Sequence, residues 1–179
     1  MYKHSPTNLV ACICEGNAEV EIIELLLEHN KLPFLKSSLL DEKPLTGTMR
    51  SARNLETRYL GQIFEPGQHI EIIRIVDSKS EKYSIRHAYQ KNIAGIFHFF
   101  TTPEIEMLII INENKYNAYK RSNKKPSKYC SEDLKMKNIK QKGFISNYFS
   151  NINTLITALQ KYHQIRPDKD MDTIYSLIN

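Results

Sequence analysis

Acidic residues stand just beyond three apolar segments of this 179-residue chain, at positions where buried strands would end. They are Glu15, Asp77 and the pair Glu104 and Glu106. Carboxylates gathered from separate strand ends bind hard cations such as Mg²⁺, which uses one or two carboxylates together with substrate phosphates. A metal held in this way can orient a phosphodiester and activate water for its hydrolysis. The alternative stays open that Glu15 and Asp77 only cap the helices that follow them.

Other kinds of site have little support in the sequence. The six histidines are scattered without HxxxH spacing, and the three cysteines lack CxxC spacing, so neither a zinc site nor a disulfide framework is predicted. Cys12, Cys14 and Cys130 are predicted to be buried thiols, with Cys12 and Cys14 on one face of a strand. Since neither a P-loop motif nor a GxGxxG motif occurs, nucleotide binding through a glycine-rich loop is not expected.

The second feature with possible chemistry is a basic segment from Lys115 to Gly143. It carries ten basic and two acidic residues, on a chain whose net charge is +5. A basic block of this kind is typical of a surface that binds nucleic-acid phosphates. A solvated lysine-rich surface is the equal alternative. The candidate phosphate contacts are Lys115, Lys120, Arg121, Lys124, Lys125 and Lys128.

Strands and helices that would position these residues alternate along the chain. Apolar runs predict three strands, at 9–14, 70–76 and 94–101. Amphipathic patterns and helix start signals predict the helices 18–30, 49–64, 80–92, 103–119, 145–163 and 170–178. Alternation of this kind predicts an α/β fold with a small, mostly parallel sheet that helices cover on both faces. Ligands of such sheets bind beyond the carboxyl ends of the strands, where the acidic residues lie.

The composition indicates one domain over residues 1–179. Its core is expected at about residues 8–112, followed by a basic loop and C-terminal helices over 113–179. Apolar residues at 41% and charged residues at 25% are typical of globular proteins. No apolar run approaches the roughly 18–20 residues that a membrane span needs, and no apolar signal segment precedes the first strand. We therefore expect a cytoplasmic protein that does not enter membranes.

The strand ends also carry three short motifs, at 14–17 (CEGN), 76–79 (VDSK) and 102–108 (TPEIEML). Their order resembles the Toprim fold of topoisomerases, primases and overcome-lysogenization-defect nucleases. The closer resemblance is to the RloB-like branch, which is found beside bacterial restriction and phage-defence genes. In that branch a start like Cys-Glu-Gly-Glu is followed by an Asp-rich loop and by Asn-Pro-x-x-Glu-Leu before a hydrophobic helix. The resemblance covers residues 9–111.

The resemblance implies a nuclease that uses Mg²⁺ or Mn²⁺ to hydrolyse DNA or RNA in bacterial defence against phage or plasmids. Glu15 and Asp77 would hold the metal, together with Glu106 or Glu104. A different class of function is also implied: a non-catalytic, degenerate Toprim scaffold that binds a partner ATPase or nucleic acid.

The sequence departs from the family pattern at Lys79, where a second aspartate is expected. An ammonium group has no lone pair with which to bind a cation. Lys79 could pair with Asp77 or contact a phosphate, and Glu81 could replace the missing acid as a metal ligand. Lys79 therefore favours the scaffold, whereas the acids at the strand ends favour the enzyme.

Overall fold

A computed structural model describes residues 2–62, 64–166 and 168–178. In these ranges three strands form one parallel sheet in the order β1-β2-β3. Leu9 of β1 lies opposite Ile70 of β2, which in turn lies opposite Ile93 of β3. The predicted α/β class with a small parallel sheet is confirmed. The strands are β1 (Leu9–Cys14), β2 (Ile70–Val76) and β3 (Ile93–Phe100).

Helices and single helical turns flank the sheet. The helices are α1 (Asn17–Glu28), α2 (Ala52–Leu55), α3 (His87–Gln90), α4 (Met107–Asn112), α5 (Tyr116–Ser122), α6 (Pro126–Glu132), α7 (Phe144–Tyr148) and α8 (Ile152–Ile165). A π-helical turn, Glu56–Leu60, continues α2. Turns of 3₁₀ helix occur at Lys36–Ser38, Leu40–Glu42, Gly47–Arg50 and Ile174–Leu177. None of the described helices is long and apolar enough to cross a membrane.

Side chains of β1 point alternately into two hydrophobic clusters, one on each face of the sheet. Cys12 and Cys14 pack with α1, α4 and α8 on one face, as predicted for a pair of buried thiols. Ala11 and Ile13 pack on the other face, against Leu55 and its neighbours in α2. All seven residues of β2 are buried, so both of its faces are covered, as is typical of a central strand in a parallel sheet.

Three of the predicted helices differ from the observed ones in the core region. The helix expected over 49–64 is a 3₁₀ turn followed by α2 and the π turn, and Ile63 within it lies outside the described residues. Of the helix expected over 80–92, only α3 is formed. In the residues before α3, Glu81 pairs with a buried arginine, Arg74. The helix expected over 103–119 begins only at Met107 and ends at Asn112.

The C-terminal part also contains more, and shorter, helices than predicted. The helix expected over 145–163 is divided into α7 and α8, because the Asn151 side chain accepts a 2.9 Å bond from the Asn153 amide and caps a new helix. Residues 170–178 form only the 3₁₀ turn Ile174–Leu177. The basic segment, predicted to be a loop after residue 119, contains α5 and α6.

The outer edge of β1 is covered by a loop that the sequence did not indicate. Leu39 and Leu45 form isolated parallel bridges with Val10 and Ile13. The Leu45 amide donates to the Cys12 carbonyl at 2.7 Å, and Leu45 in turn accepts from the Cys14 amide at 2.8 Å. This edge therefore presents fewer free backbone groups to other chains than an open strand would.

Candidate functional site

Glu15 and Asp77 meet at the carboxyl ends of β1 and β2, which are adjacent and parallel. Glu15 links the two ends directly, because its Oε2 accepts a 2.8 Å hydrogen bond from the Asp77 backbone amide. Its Oε1 accepts a 2.7 Å bond from Nη2 of Arg50, which lies in the 3₁₀ turn Gly47–Arg50. The predicted position of these two acids at neighbouring strand ends is confirmed.

A cleft of about 270 Å³ opens at this end of the sheet. Its walls come from the start of α1, the end of β2, the segment between β3 and α4, and residues 139–145. Lys140 is the one basic side chain among the described lining residues. We call it the acidic cleft because six carboxyl groups line it: Glu15, Glu19, Glu21, Asp77, Glu104 and Glu106.

Glu104 and Glu106 reach the acidic cleft from the loop that leads into α4. Glu104 lies partly exposed, and one of its oxygens accepts a 2.8 Å bond from the Ser127 backbone amide at the start of α6. Glu106 is buried, only 9% exposed, directly before Met107. The structure therefore brings both of the alternative metal-ligand candidates from this loop to the same cleft as Glu15 and Asp77.

Three acids of the cleft have raised pKa values. Loss of surrounding water and the neighbouring Glu15 carboxylate raise the pKa of Asp77, although the residue as a whole is exposed. Burial raises the pKa of Glu19 above the ordinary range, with the charges of Glu106 and Glu15 adding to the effect. Burial likewise raises the pKa of Glu106, with a smaller contribution from Glu104. The raised pKa values mean that the folded cleft favours the protonated form of these three acids relative to water.

Thr101 supplies a buried hydroxyl to the same cleft. The residue follows β3, is 1% exposed and lines the cleft, and its backbone amide donates to the Val76 carbonyl at 2.9 Å. Its Oγ1 has no hydrogen-bond partner among the described residues. A buried hydroxyl without a partner is energetically unfavourable, by about 1–3 kcal/mol. A ligand oxygen or a bound ion in the cleft would supply the missing partner.

Lys79 and Glu81 do not line the acidic cleft. Lys79 is half exposed and pairs with Asp168, whereas Glu81 pairs with the buried Arg74 at 2.8 Å. The Arg74 guanidinium also lies over the Tyr83 ring, 4.1 Å from its centroid. Glu81 therefore already has a structural partner on the sheet, and Lys79 is held toward the C-terminal part of the chain.

The six basic candidates for phosphate contact extend from Lys115, directly before α5, to Lys128 in α6. Lys124 pairs with Glu132 at 3.1 Å and with Asp133 at 2.5 Å, and Lys128 approaches Glu132 to 3.7 Å. The other four have no acidic partner among the described residues: Lys115, Lys120, Arg121 and Lys125. Two of the six charges are therefore partly neutralised.

The residues of the cleft can be tested for their fit to a metal ion. Over the described residues, no three or more His, Cys, Asp or Glu side chains are arranged to hold a metal. Glu15 contributes to this, since both of its oxygens already accept hydrogen bonds. The donors are nevertheless the hard oxygen ligands that Mg²⁺ prefers, and Mg²⁺ often takes only one or two carboxylates and obtains further ligands from substrate phosphates. The donors are therefore of the chemical type that Mg²⁺ prefers, but the described side chains form no preassembled metal site.

Sequence reasoning missed two acids that line the cleft, Glu19 and Glu21, and the contact of Arg50 with Glu15. Glu19 looked like an exposed acid in the first turn of a helix, but its Oε2 accepts from the Gly16 amide at 3.1 Å and it is buried. The available signal was its place three residues after Gly16, where an acid can complete a capping box. The contact between Arg50 and Glu15 joins residues 35 apart in sequence, and no local pattern indicates it.

Comparisons with known proteins do not assign the chain to a family. No family model matches it, and no significantly similar curated protein or solved structure was found.

Proposed function

We propose that this protein is a Toprim-like, magnesium-dependent nuclease that hydrolyses DNA or RNA in bacterial defence against phage or plasmids. The observation that carries the proposal is the convergence of Glu15 and Asp77 at adjacent parallel strand ends, in one cleft with Glu104 and Glu106. This is the end of an α/β sheet where ligands bind. The crowding of carboxylates with raised pKa values supports a cation as part of the ligand.

In this proposal Glu15 and Asp77 hold Mg²⁺ or Mn²⁺, with Glu106 or Glu104 as a further ligand. The metal would supply the orientation of the phosphodiester and the activation of water. Lys140 stands at the cleft wall, where its ammonium can contact a phosphate oxygen. The basic side chains of α5 and of the following loop that have no acidic partner among the described residues would bind phosphates further along the strand, together with Lys79.

The experiment that tests the proposal measures metal binding and strand cleavage together. Calorimetry with Mn²⁺, in the presence of a non-cleavable phosphorothioate oligonucleotide, reports the metal site, and a fluorescent oligonucleotide reports cleavage. We expect Glu15→Gln and Asp77→Asn each to weaken metal binding and cleavage by about 10- to 100-fold or more, since even partners of metal ligands have effects of this size.

The matched control is Glu28→Gln, an exposed acid at the end of α1 that is remote from the cleft lining. It should leave both measurements unchanged. Metal binding that is equal in wild type, Glu15→Gln and Asp77→Asn would refute the proposed site.

The second candidate function is a degenerate Toprim scaffold that binds a partner ATPase or nucleic acid without cleaving it. Two contacts favour it: Lys79 is engaged by Asp168, and Arg50 neutralises Glu15. In a scaffold of this kind, the wild type cleaves feebly or not at all at millimolar Mg²⁺, and Lys79→Asp strengthens metal binding in calorimetry. Brisk cleavage by the wild type that Lys79→Asp abolishes would instead make Lys79 a phosphate ligand of an enzyme and exclude the scaffold.

A further inference from the structure

A second, mainly apolar pocket lies on the other side of the loop that carries Glu104 and Glu106. Its volume is about 240 Å³, and we call it the tyrosine pocket. This is smaller than the roughly 300–1,000 Å³ of pockets for drug-sized ligands, so it suits a single planar ring system. Its principal lining residues are Met107, Tyr116, Tyr119, Lys120, Tyr162 and Arg166.

The tyrosine pocket shares a wall with the acidic cleft. Along the chain from Thr101 to Met107, the residues alternate between the two: Thr101 lines the cleft, Thr102 and Pro103 line the pocket, 104–106 line the cleft, and Met107 lines the pocket. The Tyr162 hydroxyl donates to the Thr102 carbonyl at 2.5 Å and holds this wall against α8. The acidic cleft and the tyrosine pocket are therefore neighbouring cavities that one short segment of the chain divides.

The two cavities differ sharply in charge. The acidic cleft contains six carboxyl groups, whereas the tyrosine pocket has two cationic side chains, Lys120 and Arg166, and no acid in its described lining. Neither cation forms an ion pair with an acid among the residues that the structure describes. The Lys120 ammonium lies 5.4 Å from the centroid of the Tyr116 ring. Aromatic rings beside cations are what a base and its phosphate require.

We propose that the tyrosine pocket binds one unpaired base of a single-stranded nucleic acid whose neighbouring phosphate lies at the acidic cleft. A paired base cannot enter such a pocket, because its ring faces are stacked in the duplex and its edge is paired. The proposal rests on the proposed nuclease function for the role of the cleft, but the binding of the base itself needs no metal. It narrows the substrate to single strands or to strands with unpaired bases.

The experiment measures fluorescence anisotropy of a labelled oligothymidine in EDTA, so that metal-dependent cleavage does not contribute. Three competitors are compared: the unlabelled strand, the same strand with abasic sites, and a duplex of equal length. We expect the unlabelled strand to compete about 5- to 150-fold better than the abasic strand, the range reported for stacking of one base on an aromatic side chain. Equal competition by the intact strand, the abasic strand and the duplex would overturn the proposal.

Variants of Tyr116 locate the effect in the pocket, because this tyrosine is only partly buried and lies at the start of α5. Tyr116→Phe should keep the affinity for the single strand, whereas Tyr116→Ala should lower it by a similar 5- to 150-fold. If Tyr116→Ala does not fold, Tyr116→Leu preserves the apolar packing and should show the same loss. The matched control is Tyr89→Ala, which removes a partly buried tyrosine from the opposite face of the sheet and should change nothing.

A free nucleotide offers the same base and phosphate chemistry, so thymidine monophosphate is the remaining competitor. If it displaces the oligonucleotide with the oligonucleotide's own dissociation constant, the pocket serves free nucleotides and the proposal is overturned. Loss of all metal-dependent cleavage, with base discrimination intact in EDTA, would refute the nuclease and leave the base pocket standing. A protein that cleaves nucleic acid but binds intact and abasic strands equally would refute the base pocket and leave the nuclease standing.

Discussion

Buried acids at the two ends of the sheet differ in their hydrogen bonding and in the direction of their pKa shifts. At the amino end of β2, Glu71 is 2% exposed and accepts hydrogen bonds from Tyr2, from His4 at 3.0 Å, from the Ser5 amide at 2.9 Å and from Asn8 at 2.8 Å. Burial alone would raise the pKa of Glu71, but these hydrogen bonds outweigh it and hold the pKa below its ordinary value. This carboxylate is fully satisfied and binds the N-terminal segment to the sheet.

At the carboxyl end of the sheet, acids that are buried to a similar degree have raised pKa values instead of lowered ones. Glu19 and Glu106 are also less than one-tenth exposed, and here burial does raise the pKa values, because few donors offset it and other acids lie nearby. The number of donors, rather than the degree of burial, therefore separates a structural acid from one that is available to a cation.

The largest effect is expected from removing the satisfied acid. Glu71→Ala leaves several donors buried without their acceptor, and we expect the free energy of unfolding to fall by about 3–5 kcal/mol. Urea denaturation followed by circular dichroism measures it. Glu28→Ala, at an exposed acid of α1, should stay within about 0.5 kcal/mol of wild type. A loss below about 1 kcal/mol for Glu71→Ala would contradict the difference drawn between the acids at the two ends of the sheet.

The pH dependence of stability should differ in sign at the two ends. Because the folded pKa of Glu106 is raised, its contribution to stability is fully present below its unfolded pKa of about 4.3 and is lost as the pH rises through the folded value. Glu71, whose folded pKa is lowered, contributes stability above about pH 4.3 that is lost as the pH falls.

Glu106→Gln should therefore gain stability relative to wild type between pH 4 and pH 8, as measured by urea denaturation at several pH values. The same substitution at the exposed Glu28 should give a flat difference across this range. A flat difference for Glu106→Gln would mean that its carboxyl group ionises as freely as in the unfolded chain.

A smaller effect concerns Arg50, which takes one oxygen of Glu15 away from the cleft. Because both side chains are partly exposed, at 37% and 24%, the ion pair contributes only about 0.2–1 kcal/mol. Arg50→Gln should accordingly tighten Mn²⁺ binding by at most about fivefold in calorimetry. Arg53→Gln, at an exposed arginine of α2, is the control. Weaker metal binding by Arg50→Gln would show that Arg50 supports the site instead of competing for it.

The smallest expected effect concerns basic side chains, which should differ according to whether an acidic side chain pairs with them. Lys124 and Lys128 have acidic partners, whereas Lys120 and Arg121 have none among the described residues. The double variant Lys120→Gln and Arg121→Gln should lower the slope of log affinity against log salt by up to about 1.8 on duplex DNA, at roughly 0.9 per phosphate contact. Lys124→Gln with Lys128→Gln should lower it by less. Equal changes would mean that intramolecular pairing does not weaken phosphate contacts here.

The sequence predicted those parts of the molecule that depend on local pattern. Continuous or alternating apolar patterns placed all three strands within a residue of their observed bounds, and the rule for strand ends brought Glu15 and Asp77 together. The predicted helix over 80–92 was wrong in its first part, where Glu81 pairs with Arg74 and the Arg86 amide donates to Glu56, 30 residues away in sequence.

The remaining errors have the same kind of cause. Glu19 and Glu21 fit the exposed face of an amphipathic helix, but the chain folds back over them, and Glu21 accepts bonds from the Gly143 amide at 2.5 Å and the Ser146 amide at 3.0 Å. Partners 122 and 125 residues away leave no trace in a local pattern. The acidic residues at strand ends could thus be predicted, but the cleft that they line could not.

The bond between Glu15 and the Asp77 amide has a consequence for the order in which the protein folds. It closes a separation of 62 residues, whereas the contact between Arg74 and His98, across β2 and β3, closes only 24. Since bringing distant segments together loses more chain entropy, we expect β2 and β3 to pair early and β1 to join late. In a nascent or partly folded chain, Glu15 and Asp77 would therefore lie apart. The acidic cleft would form only when folding is complete.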